Sequence, residues 1–374
     1  MKTDFCVIGG GIAGLSIAAE LSSKANVVVL EREDDLAYHT TGRSAALYSD
    51  LTADSTALTL SKLTRPFLLN PPAGFSEYPL FDEIGCIFVA TDAEAELIQN
   101  AAKKLENPKI LNADEILAEI PIMRTGGEDI TSGLLEVDAF RIDVGALVQG
   151  RRNQIKRNGA TISCQAEVVA LSERDSEWEV ELANGDKIHA THVINAAGAW
   201  GDVIAKLAGA DPVGLSPLRR NIIVFDGPVD TDMSRWPAIG SISASYYFLP
   251  EAGRLMGSSA DEVPSEPCDA QPEEYDIALA AHNIETATTL NISKVHHKWA
   301  GLRTFAPDRQ LVAGYDSERP GFFWYVGQGG FGIQTSHAAA RTAAHLALEE
   351  SLPTEYEAAG ITAESLSPLR FRAK

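Results

Sequence analysis

Phe5-Cys6-Val7-Ile8-Gly9-Gly10-Gly11-Ile12-Ala13-Gly14 decides the fold of this chain. An apolar run of strand length leads straight into closely spaced glycines, and Ile12 to Ser23 carries the apolar spacing of a helix. Val27 to Leu30 then forms a second wholly apolar strand, followed by Glu31 and Arg32. Gly9 permits the tight turn, Gly11 lets the backbone approach a pyrophosphate, and Gly14 brings helix against strand. The unpaired N–H groups at the helix start, with the positive end of its dipole, favour a diphosphate without any lysine. Glu31 can accept hydrogen bonds from ribose hydroxyls and would repel a 2′-phosphate, which disfavours NADP. Strand, glycines, helix, strand and acid stand in the order of a βαβ dinucleotide unit, a pattern that leaves NAD and FAD both open.

Outward from this unit, the 374 residues suit two domains, and 45% hydrophobic with 22% charged residues is the composition of a folded globular enzyme. A formal net charge of −21 argues against nucleic acid and against an acidic membrane surface, since both are bound by clustered Lys and Arg. Cys6, Cys86, Cys164 and Cys268 stand far apart without a CxxC pair, so neither a metal site nor a disulfide scaffold is expected. No basic region with a following apolar stretch and cleavage site opens the chain, and no window has the length of a membrane span. A soluble, cytoplasmic protein without membrane insertion, monomeric or weakly oligomeric, is the expectation.

Further along, the pattern predicts a layer with a helix over 93–105, a helix over 143–157, strands at 161–163 and 168–171, a meander around Trp178, and a strand at 193–195. Runs at 221–225, 246–249 and 294–299 read as antiparallel strands of a substrate domain, interrupted by an acidic stretch from Asp261 to Glu274. Phe322 to Val326 reads as another strand, followed by a Gly-rich turn and an Ala-rich helix from near Ile333 to Glu349; Pro368 to Lys374 reads as a loose tail.

Tyr38-His39-Thr40-Thr41-Gly42-Arg43-Ser44-Ala45-Ala46, Asn195 to Trp200, Trp299 to Arg303 and Gln328 to Thr335 together resemble the D-amino acid oxidase family of flavoproteins, and within it the D-arginine dehydrogenase branch, over nearly the whole chain. The resemblance implies one non-covalent FAD. It implies an α/β, Rossmann-like FAD-binding domain built from discontinuous segments (1–49, 141–214 and 301–374), with an α+β substrate domain holding a mostly antiparallel sheet (50–140 and 215–300). The cofactor contacts it implies are Ile8, Gly9, Gly11, Ile12, Ala13, Gly14, Glu31, Arg32, Thr41, Gly42, Arg43, Ser44, Ala45, Ala46, Val168, Ala196, Gly198, Trp200 and Arg303, with Gly329, Gly330, Phe331, Gly332, Ile333 and Gln334 at the distal turn. Related enzymes that attach FAD covalently use a histidine in the loop of His39 or a cysteine near 299–304; this chain has no cysteine there.

The implied reaction is oxidation of a D-amino acid to the imino acid. Its catalytic set matches Arg220, Tyr247 and Arg303 as the carboxylate grip, for which planar guanidinium forks are suited, and Gly330 as acceptor for the substrate amine. Three glycines between 329 and 332 place backbone close to something planar or charged, and the following helix would stabilise negative charge on a reduced flavin. Ser49 and Gln334 match polar supports at the substrate. The substrate-facing positions depart from the D-arginine pattern: Leu47, Thr52 and Cys86 replace a histidine, a lid tyrosine and a glutamate, while residues 49–55 form the candidate lid. A guanidinium substrate would then be desolvated without its partner. Oxidation of N-alkyl amino acids fits the same grip, a non-catalytic flavoprotein is a third reading, and no residue identifies the electron acceptor.

Overall fold

The computed structural model describes residues 1–53, 55–174 and 177–372. Lys2–Ile8 lies parallel to both Val27–Leu30 and Lys187–Asn195, and Phe322–Val326 extends the sheet along the same direction beside Asn195. Together with Thr161–Ser163, the antiparallel pair Val168–Arg174 and Glu177–Leu182, and Val312–Tyr315, these strands form an eight-stranded sheet. Both faces are covered, which is why its central strands are apolar throughout. Phe5, Val7, Val27, Val29, Ile194 and Phe323 point into one core against the Gly-turn helix Ile12–Leu21 and the Ala-rich helix Ser336–Ala347. Cys6, Ile8, Val28, Leu30, Val193 and Trp324 point into the other core, in strict alternation.

A second, nine-stranded sheet forms the substrate half. Ser216–Phe225 pairs antiparallel with Val295–Phe305 along its whole length, and Tyr247–Glu251 joins through Arg254–Ser258. The sheet is antiparallel except where Ala238–Ser241 runs parallel to Cys86–Thr91. The strands Cys86–Thr91 and Ile130–Glu136 were not legible in the sequence, where the region reads as a separate layer mixing helical stretches with loop. A small sheet of Leu47–Tyr48, Phe140–Ile142 and Phe81–Glu83 joins the two halves. Val295–Phe305 runs past residue 300, so one continuous strand carries the substrate sheet into the C-terminal flavin segment.

The helix expected over 93–105 is shorter, a 3-10 turn followed by Ala95–Ala102. The Ala-rich helix begins at Ser336, after a turn through 332–335. The expected loose tail is instead docked over its described part: Pro368 is buried, and Arg370 binds the Asp308 carboxylate and the carbonyls of Gln310 and Leu311. Arg372 pairs with the buried Asp316. The bonds to Asp308, to two backbone carbonyls and to the buried Asp316 outweigh the polar composition of the segment. Lys374 and its neighbour lie outside the described residues.

Candidate active site

A long cavity runs from the first glycine turn, past Glu31, to the inner face of the substrate sheet. Its first end is built as the sequence requires. A Cβ on Gly14 would stand 1.9 Å from the Gly9 carbonyl oxygen, so helix and strand meet at a distance only glycine allows. Gly9 has φ +114°, a conformation that other residues rarely adopt. The Glu31 carboxylate accepts hydrogen bonds from the backbone N–H of Gly10 (2.7 Å) and of Glu33 (3.0 Å), which fixes it at the end of its strand. Thr41 Oγ1 accepts from the Ile12 N–H at 3.0 Å and ties the 37–46 loop to the helix start. Arg43 donates to the carbonyls of Ala270 and Ala300, while its own carbonyl receives the Trp299 indole N–H, joining that loop to the substrate half.

Ile8, Gly9, Gly11, Ile12, Ala13, Glu31, Arg32, Thr41, Arg43, Ser44, Ala45, Val168, Ala196, Gly198 and Trp200 all line this cavity. Gly14, Gly42 and Ala46 stand behind it: Gly14 is in helix–strand contact, Gly42 closes on the Ala37 carbonyl, and Ala46 accepts from the Ile142 N–H. The Arg32 guanidinium lies 4.0 Å over the Trp200 ring. His39 also lines the cavity, with Nε2 at 2.8 Å from a Glu33 carboxylate oxygen and its ring against Trp200.

At the far end, strand periodicity places the arginines. Arg219 and Arg220 point to opposite faces of Ser216–Phe225. Arg219 is ion-paired with Glu273 and Asp276 under the helix Glu274–Ala287, whereas Arg220 faces the cavity. In the register of this strand pair Arg220 lies opposite Gly301 and Leu218 opposite Arg303, so the two arginines are diagonal neighbours on one face. Ile222, two residues beyond Arg220, and Tyr247 share that face. The Arg220 Nε donates to the Asp261 carbonyl at 2.5 Å. No acceptor among the described residues bonds the Arg303 guanidinium; burial and then the charge of Arg220 push its pKa down to about 10, which leaves it protonated near neutrality. The buried hydroxyls of Tyr247 and Thr304 are likewise without hydrogen-bond partners among the described residues.

The distal glycine turn closes over this pair. Gly329, Gly330, Gly332 and Ile333 line the cavity, and a Cβ on Gly330 would stand 2.9 Å from Arg303 Nη1. Gly329 has φ +56° and lies under the Phe305 ring, where a Cβ would clash at 2.3 Å. Phe331 is turned away into a small separate pocket with Gln328 and Leu311.

The expected substrate-side polar residues lie elsewhere. Ser49 is fully buried and donates to Glu136 at 2.6 Å; Gln334 is buried and donates to the Ser49 carbonyl and to Ser61 Oγ. Thr52 donates to the Ser49 carbonyl. None of the three lines the cavity: Ser49 and Gln334 join the loop after Tyr48 to the two halves of the protein, and Thr52 bonds within that loop. Leu47 and Cys86 sit with Phe88 and Trp299 in an apolar cluster behind Ile222 and Tyr247, which line the cavity. The candidate lid over 49–55 lies partly outside the described residues. Glu136, across from Cys86 in the strand register, went unnoticed in the sequence; burial pushes its carboxyl up to about 7. Ile222, Gly301, Thr304 and Gln328 were also missed, although alternation from Arg220 points to Ile222.

A parallel sheet with a glycine turn, an acid at the second strand and a cavity reaching a second, antiparallel sheet define a two-domain dinucleotide-dependent oxidoreductase. The chain belongs to the family described as FAD dependent oxidoreductase, whose model matches residues 4–346. It therefore binds FAD, and the glycine cradle, the Glu31 carboxylate and the helix start fit that group. A curated relative, FAD-dependent oxidoreductase domain-containing protein 1 of Bos taurus, is 25% identical over 94% of this chain and 82% of its own length. Among solved structures, glycine oxidase from Geobacillus kaustophilus superposes with a TM-score of 0.82 at 19% identity, covering 97% of this chain and 99% of that one. L-proline dehydrogenase from P. horikoshii gives a TM-score of 0.82 at 20% identity, with 99% and 98% covered. No helix among the described residues is long and apolar enough to cross a membrane.

Proposed function

We propose that this protein oxidises a D-amino acid with an uncharged side chain to its imino acid, which water converts to a 2-oxo acid and ammonia. The observation that carries this reading is the half-buried pair Arg220 and Arg303 beside the unpartnered Tyr247 hydroxyl, at the end of a cavity that begins at the dinucleotide turn. Two guanidinium groups and a phenol suit a carboxylate, which accepts several charge-assisted hydrogen bonds. FAD, when bound, would supply the two-electron oxidant that accepts the hydride from the substrate Cα. Arg220 and Arg303 would fix the carboxylate and so orient Cα. Their charges also favour loss of the ammonium proton, because a third cation there is costly. The Gly330 carbonyl would accept a hydrogen bond from the resulting amine. Ile222 gives the cavity wall an apolar surface beside Arg220 and Tyr247, backed by Leu47 and Trp299, which supports an uncharged side chain over a guanidinium. The D stereochemistry rests on the resemblance to D-arginine dehydrogenases. The engagement of His39 by Glu33 supports a non-covalent cofactor.

Oxidation of an N-alkyl amino acid is the second reading. It is favoured by the fold likeness to L-proline dehydrogenase, whose named substrate is a secondary amine. Anaerobic mixing of the yellow holoprotein with D-, L- and N-methyl amino acids and L-2-hydroxy acids tests both readings. Bleaching of the flavin band by neutral D-amino acids is expected. Bleaching by L-substrates alone would overturn the stereochemical assignment, and bleaching by 2-hydroxy acids alone would overturn the amine class.

A further inference from the structure

Beside Arg220 stands an acid that no motif marks. Glu262 Oε1 stands 3.7 Å from Arg220 Nη2 and 2.9 Å from Arg309 Nη2, so one carboxylate is shared between a cavity arginine and an outer one. Arg309 is itself held, its guanidinium 3.7 Å over the Phe305 ring that covers Gly329. The preceding residue anchors the segment: the Asp261 carboxylate accepts from the Asn221 backbone N–H and Nδ2 and from Ser259 Oγ, while the Asp261 carbonyl accepts from Arg220 Nε. Arg220 is therefore held by a backbone acceptor through Nε, with Nη2 3.7 Å from an acid that Arg309 holds more closely.

We propose that Glu262 sets substrate affinity and charge selectivity by competing with the substrate carboxylate for Arg220. A bound carboxylate takes the Arg220 Nη2 donor, and Glu262 is left to Arg309, whose contact is already the shorter. The exchange has little geometric cost, since Arg220 keeps its bond to the Asp261 carbonyl throughout. An acid at this place also repels a second anionic group on the ligand, because charges closer than the roughly 8 Å screening length still interact. The site then selects monocarboxylates over dicarboxylates and phosphate esters. This inference rests on the carboxylate grip assigned to Arg220 and Arg303.

Titration of the oxidised holoprotein with benzoate and with glutarate, followed by the visible flavin spectrum, tests it without turnover. Glu262→Gln is expected to tighten benzoate by about fivefold, the effect of one partly exposed ion pair, and to tighten glutarate by more. Glu262→Asp, which retains the acid, is expected to stay near the parent. Benzoate binding equal or weaker in Glu262→Gln would overturn the competition, and equal gains for benzoate and glutarate would overturn the charge selectivity. If the parent protein binds neither carboxylate, the arginine-grip reading fails and this inference falls with it; a parent that binds benzoate with an unresponsive Gln variant removes Glu262 alone.

Discussion

Arg151 is buried in the fold and Arg303 stands half-buried in the cavity wall, and their surroundings differ. Arg151, in the helix Val144–Arg157 of the flavin half, is 1% exposed. It donates to Glu20 at 3.2 Å and to Gln154 at 3.1 Å, meets His337 Nδ1 at 3.0 Å, and lies over the rings of Phe67 and Phe75. Its charge is answered inside the fold, and burial with the Arg151 charge pushes the His337 imidazole down to about 3, so that ring stays neutral. Arg303 has a second arginine for a neighbour, glycine backbone at its tip and no bonded acceptor among the described residues. Removing one partner of a buried charged pair is destabilising, whereas a cation in a cavity wall without a bonded acceptor is open to one from outside the chain. The difference separates scaffold from site without reference to any motif.

The contrast breaks most sharply on exchange of each arginine for methionine. Arg303→Met should lower the rate of anaerobic flavin reduction by about a thousandfold, in the range of losing a group that fixes charge at the reacting centre, with the melting temperature little changed. Stopped-flow reduction alongside thermal denaturation reads both quantities. A slower rate accompanied by a large stability loss would make Arg303 a scaffold residue. Gly330→Ala leaves every charged group in place but puts a methyl group against Arg303 Nη1. It should slow reduction by about a hundredfold through misplacement alone; an unchanged rate would show that the guanidinium does not need its present position.

Arg151→Met should invert the pattern, costing about 3 kcal/mol of stability by leaving Glu20 without its buried partner, while the folded fraction reduces its flavin at the parent rate. Urea denaturation with the same stopped-flow assay decides this. Glu136 supplies a third kind of buried charge, an acid bonded by Ser49 Oγ and the Asp50 N–H but near the like charges of Asp50 and Asp138 and beside the Cys86 thiol. The folded chain holds the Glu136 proton more tightly than an unfolded chain, in which the carboxyl titrates near 4.5. Its contribution is therefore full below about 4.5 and is lost as pH rises to about 7, by up to roughly 3 kcal/mol. Glu136→Gln should flatten the stability–pH profile over that interval, and a profile unchanged by the substitution would place the titration elsewhere. The smallest effect belongs to Tyr247→Phe, which removes the unpartnered hydroxyl and should weaken benzoate binding about tenfold, the worth of one hydrogen bond to a charged group.

Legibility in the sequence followed the range of the interaction. The first glycine turn, the strand at Phe322–Val326 and the helix after Asp143 all came from neighbouring residues, because turn geometry and apolar period are local. Cys86–Thr91 and Ile130–Glu136 did not: their place in the sheet depends on partners far away in sequence, and residue pattern alone did not distinguish them. Ser49, Thr52 and Gln334 were read as substrate contacts on the strength of a motif match; burial ties Ser49 and Gln334 to a junction instead, since a polar side chain out of water must bond whatever is nearest, and the exposed Thr52 bonds the Ser49 carbonyl.

By itself, then, the sequence determined the dinucleotide turn, the acid at Glu31 and the two-sided parallel core, because glycine spacing and alternation act within a few residues. That Arg220 turns inward while Arg219 turns out, that Arg303 stands diagonal to it with no acid attached, and that Glu262 reaches across to both Arg220 and Arg309 were decided only by strand register and loop packing. Register brings together residues that lie some eighty positions apart in the chain, and local sequence carries no record of that distance.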